Sequence, residues 1–79
     1  MGKFTFYAFI KKDFVWTATW DVEASLLPEY VRYGQGSFDI RGDHGVIVDR
    51  FGTVVATYKG TNARKTFTFN AYYKAHYGK

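Results

Sequence analysis

The chain has 79 residues, with 11 Lys and Arg against 7 Asp and Glu for a net charge of +4, and 22% of its residues are aromatic. One domain, 1–79, is expected, since two would each fall below the ~50 residues an independent core needs. With no cysteine, disulfide frameworks, thiolate metal sites and thiol nucleophiles are excluded, and aromatic side chains burying roughly 150–250 Å² each must build the core.

Met1-Gly2-Lys3 leads directly into strand-like sequence without an apolar leader. No apolar run approaches the ~18 residues of a membrane span. A cytoplasmic protein with no membrane partner is therefore expected. Residues 3–12 alternate Phe4, Phe6, Ala8 and Ile10 against Thr5, Tyr7 and Phe9, the period of a strand. After Lys11-Lys12-Asp13, residues 14–20 alternate Phe14, Trp16, Ala18 and Trp20 against Val15, Thr17 and Thr19, completing a hairpin whose connection lacks glycine.

From Asp21 the period changes to that of a helix, with Ala24, Leu27 and Val31 on one stripe. Ser25 is the expected N-cap with Pro28 in the first turn, the alternative being Asp21 as cap with Pro28 interrupting the helix, and Gly34 or Gly36 ends it. Residues 37–41 read as a strand that turns at Gly42-Asp43-His44-Gly45 and returns from Val46 through Phe51. Gly52 turns the chain again or marks a bulge, and residues 53–58 form a further strand. Beyond the polar loop 59–64, residues 65–74 alternate Phe67, Phe69, Ala71 and Tyr73 against Thr66, Thr68, Asn70 and Tyr72, a last strand before a fraying tail. The sum is an α+β fold, a small antiparallel sheet of about five strands with one short helix packed on one face, in ββαβββ order.

Chemistry is sparse. Ser25 and Ser37 lie in no nucleophile elbow, and Gly34-Gln35-Gly36 lacks the third glycine of a dinucleotide turn, so no cofactor and no enzymatic activity are expected. Asp39, Arg41, Asp43, His44, Asp49 and Arg50 contain ligands for Mg²⁺ or Mn²⁺, although cross-strand ion pairs and turn chemistry account for them equally well. Arg41-Gly42-Asp43 matches an adhesion tripeptide, three residues in a turn. His44 and His76 could act as acid and base of a small ribonuclease, with Arg64 or Lys74 as the cation.

One short helix cannot cover both faces of strands that are aromatic on both sides. Tyr7, Phe9, Tyr72, Tyr73 and Tyr77 are therefore candidates for an exposed aromatic patch. The last third of the chain has Lys59, Arg64, Lys65, Lys74 and Lys79, with no acidic residue after Asp49. The expected partner contacts are Tyr7, Arg64, Lys65, Tyr72, Tyr73, Lys74 and Tyr77. They point to a protein-binding module, with inhibitors of phage or mobile-element origin directed at host defence, anti-CRISPR proteins among them, as its analogy in size. Nucleic-acid binding by Tyr or Phe stacking and Lys or Arg phosphate contacts is the alternative, a ribonuclease the second, and a homodimer a further use of the same patch.

Overall fold

The structure, a computed structural model, describes residues 2–31, 42–60 and 65–78. Strand β1 (Gly2–Ile10) pairs antiparallel with β2 (Asp13–Val22), setting Phe4 opposite Trp20 and Phe6 opposite Ala18. Successive side chains alternate between faces, so Phe4, Phe6 and Ala8 are buried while Tyr7 on the other face is exposed. The connection manages without glycine because Lys11 itself adopts φ 55°, a left-handed conformation costing an L-residue about 1–2 kcal/mol.

The expected stripe on β2 is broken at one residue. Phe9 pairs with Phe14 and Ala8 with Trp16, leaving Val15 as a bulge. Trp16, Ala18 and Trp20 stay on the core side, and the extra residue turns Phe14 onto the face of Tyr7 and Phe9.

A 3-10 turn, Ala24–Leu26, then runs into helix α1, described over 27–31. Leu27 and Val31 are buried one helical turn apart, as their spacing requires. Ser25 lies inside the 3-10 turn and is not an N-cap; Glu23 takes that place in extended geometry with no side-chain cap bond. The helix end at Gly34 or Gly36 and the strand at 37–41 lie outside the described residues.

Strands β3 (His44–Val48), β4 (Val54–Gly60) and β5 (Lys65–Phe69) complete an antiparallel sheet in the order β2-β1-β3-β4-β5. Strand β3 is bonded to β1 on one side and β4 on the other; the strand 37–41 expected to pair with it lies outside the described residues. Strand β3 stops at Val48, short of Phe51, because Asp49-Arg50-Phe51-Gly52 closes a turn. Its Gly52 N–H donates to the Asp49 carbonyl at 3.0 Å, with Gly52 at φ 84°. Gly45, expected in a turn, is a strand residue, where a Cβ would collide with the Tyr7 carbonyl oxygen and approach the Phe6 ring at 2.9 Å.

The last strand departs furthest from its expected course. It ends at Phe69, and residues expected to continue it form helix α2 (Ala71–His76). Asn70 is the cause: its Oδ1 accepts the Tyr73 N–H at 2.9 Å, capping the helix, while its Nδ2 donates to the Val54 carbonyl at 2.7 Å and ties that cap to β4. Tyr77 and Gly78 close the other end, both N–H groups donating to the Tyr73 carbonyl.

Leu27 and Val31 of α1 and Tyr73 of α2 pack into one core with Phe4, Phe6, Ile47 and Tyr58, so both helices cover the same face of the sheet. Phe6 is fully buried at its centre, with Phe67, Tyr58, Trp16 and Trp20 ring centroids at 5.3, 5.4, 5.7 and 6.1 Å. The result is a small α+β fold of five strands and two short helices. Among the described residues no helix is long and apolar enough to cross a membrane.

Candidate functional site

The second face of the sheet has no helix on it among the described residues. Thr17, Thr19, Thr57, Thr66 and Thr68 stand on it exposed, β-branched residues suited to a solvated strand surface. At the end nearest the β1–β2 connection this threonine surface gives way to rings. Tyr7 lies 6.2 Å from Phe14, Phe14 6.0 Å from Phe9, and Phe9 stacks on His44 at 5.6 Å with an interplanar angle of 21°. Tyr7 is 37% and Phe14 54% exposed.

Local sequence builds this cluster. The Val15 bulge supplies Phe14, the antiparallel register sets His44 opposite Phe9, and Lys59 stands opposite His44 on β4. Lys11 and Lys12 in the β1–β2 connection and Lys59 on β4 are all exposed. His44 Nδ1 is 2.5 Å from Asp43 Oδ1, and this bond holds the Asp43 carboxyl below the ordinary aspartate value.

Of the expected partner contacts, the structure describes Tyr7 on this open face. Tyr73 is a core residue, 6% exposed, whose hydroxyl donates to the Ala24 carbonyl at 2.5 Å; burial raises its pKa. Tyr72 and Tyr77 are half-buried against the covered side, and Lys74 is exposed on α2 beside them. Arg64 and the side chain of Lys65 lie outside the described residues. The open-face residues that sequence reasoning passed over are Phe14 and His44; the pairing of Phe9 with Phe14 across a two-residue connection is the signal that could have found the first.

Tyr72 and Tyr77 serve Asp49. This carboxylate is 4% exposed, its Oδ1 accepting the Phe51 and Thr53 N–H groups at 2.9 Å each and its Oδ2 the hydroxyls of Tyr77 at 3.1 Å and Tyr72 at 3.3 Å. Burial pushes the Asp49 pKa up, but the four donors together outweigh it and hold the group below its ordinary value. The same surroundings, burial first and the bond to Asp49 second, raise the Tyr77 pKa.

The polar residues singled out as metal ligands are dispersed. Asp43 and His44 stand at one end of β3 and Asp49 at the other, roughly 16 Å apart at ~3.3 Å per strand residue; Asp39 and Arg41 lie outside the described residues. Among the described residues no three potential ligands come together. His44 faces the open side, whereas His76 belongs to α2 and packs on Tyr72 at 4.4 Å, so the two histidines share no site. Comparison with protein-family models, curated proteins and solved structures finds no match for the chain.

Proposed function

We propose that the chain is a non-enzymatic protein-binding module that docks through the open face of its sheet. The observation that carries this reading is the cluster of Tyr7, Phe9, Phe14 and His44, which presents large rings to solvent where the core does not need them. Aromatic anchors surrounded by polar groups have the composition of interface hot spots, where truncating one costs about 1–3 kcal/mol of binding. The form we favour is an inhibitor of phage or mobile-element origin that occupies a host defence protein, on the ground of the chain's size and its lack of recognisable catalytic motifs.

Ring orientation favours a protein partner over bases. Tyr7 and Phe9 meet Phe14 at 57° and 70°, and one side of Phe9 is covered by His44, so the surface is ridged. Base stacking uses free, flat ring faces. A second reading, single-stranded nucleic acid, draws on the exposed Lys11, Lys12 and Lys59.

Immobilised protein exposed to nuclease-treated host lysate separates the two readings. The proposal expects one protein held at a fixed ratio and only modestly sensitive to salt. Recovery of nucleic acid alone from untreated lysate, released steeply as salt rises because condensed counterions compete, would overturn it.

A further inference from the structure

A concavity lies away from the open-face rings, at the opposite end of β3. It is a cleft of about 540 Å³ between the start of β1, Glu23 and Ala24 just after β2, residues 49–51 of the turn and Tyr77. Phe4, Phe51 and Tyr77 line it with rings, and Lys3, Arg50 and Glu23 with charge. The volume falls in the range of small-ligand sites.

Two observations mark the cleft as more than a surface dimple. Phe51 is 71% exposed, yet it sits in a turn fixed by Asp49, which accepts the Phe51 N–H at 2.9 Å and the Tyr77 hydroxyl at 3.1 Å. The buried carboxylate thus joins the two sides of the cleft, and a wall ordered in advance loses less entropy when a ligand arrives. The Arg50 guanidinium lies 4.7 Å above the Phe51 ring, which holds a cation beside the apolar wall and leaves its N–H edges available to an anion.

Charge then selects the occupant. Lys3 and Arg50 carry two positive charges, and Glu23 and Asp49 two negative ones. Within this balanced lining, Arg50 over the Phe51 ring offers one cation next to an apolar surface, which suits a ligand with a single carboxylate beside an aromatic group. We propose that the cleft receives an aromatic side chain with a neighbouring carboxylate, the acidic aromatic segment of a peptide.

Amide shifts of the ¹⁵N-labelled chain, titrated with N-acetylphenylalanine, its neutral amide and thymidine monophosphate, test this. Saturable shifts at Lys3, Ala24, Phe51 and Tyr77 are expected. The acid should bind about threefold to fivefold more tightly than the amide, the worth of an exposed ion pair. Arg50→Gln should abolish that preference, and Phe51→Ser should weaken both ligands.

Equal affinity of acid and amide, tighter binding of the nucleotide, or no saturable shift at these positions would overturn the proposal. So would shifts confined to Tyr7, Phe14 and His44. Because those residues lie at the other end of the sheet, failure of the cleft and failure of the open-face reading give different shift maps.

Discussion

Phe6 and Tyr7 are neighbours on β1, and each joins a cluster of rings, but the clusters have opposite fates. Phe6 meets its partners at 5.3 to 6.1 Å beneath two helices and is fully buried. Tyr7 belongs to a chain of rings spaced at 5.6 to 6.2 Å, nearly the same packing, with no helix over it among the described residues. Ring-to-ring geometry therefore does not distinguish a core from an open surface here; the cover does. Helix α2 makes part of that cover, and Asn70, Tyr73 and Asp49 hold it in place.

Substitutions at five positions probe the difference. Phe6→Ala removes the centre of the covered cluster, and a loss of about 3–5 kcal/mol is expected, a large share of the stability of a domain this small and a marked fall in its denaturant midpoint. Asp49→Ala leaves two turn N–H groups and two phenols without their acceptor and should cost on the order of 2–4 kcal/mol in the same titration.

The wild-type chain should show the matching pH dependence. The folded-state Asp49 pKa is depressed, so its contribution is complete above the unfolded value of about 3.9 and declines as pH falls through that value toward the folded one. In Asp49→Asn this component of the acid-induced loss should be absent. Equal acid sensitivity of the two proteins would mean that Asp49 is not the responsible group.

Tyr73→Phe keeps the ring in the core and deletes the hydroxyl bond to the Ala24 carbonyl. About 1 kcal/mol is expected, a fall in Tm of roughly 4–8 °C for a domain of this length. Smallest of all, Tyr7→Ser and Phe14→Ser on the open face should cost about 0.2–1 kcal/mol each, the worth of a cross-strand pair. A loss at Tyr7 as large as that at Phe6 would erase the distinction between the two faces.

Much of this architecture can be read from the chain. The alternation of Phe4, Phe6 and Ala8 against Thr5 and Tyr7 specifies β1 and its inward side, and the four-residue spacing of Leu27 and Val31 specifies the buried stripe of α1. Gly52 marks a break after the Val46 strand, although the start of the turn at Asp49, and whether Gly52 turns the chain or bulges a strand, depend on hydrogen bonds that spacing does not contain.

The departures have physical causes. Phe69, Ala71 and Tyr73 continue a period of two, while Tyr73 and Tyr77 equally satisfy a period of four; the Asn70 cap and its tie to Val54 decide for the helix. Phe14 looks inward by simple alternation, and a one-residue bulge, invisible to periodicity, turns it outward. These two features, with the β1–β3 register that sets His44 opposite Phe9, relocate the aromatic surface. Tyr72, Tyr73 and Tyr77 leave it for the covered side, and Phe14 and His44 join Tyr7 and Phe9.

The most direct test of the open face as the contact surface is affinity capture with the wild-type chain and with the Tyr7→Ser, Phe14→Ser double variant, after their melting curves establish that both are folded. The wild type should retain one protein at a fixed ratio, and the variant should lose it while remaining folded. Undiminished capture by the folded variant would contradict the account and return these rings to a purely structural role.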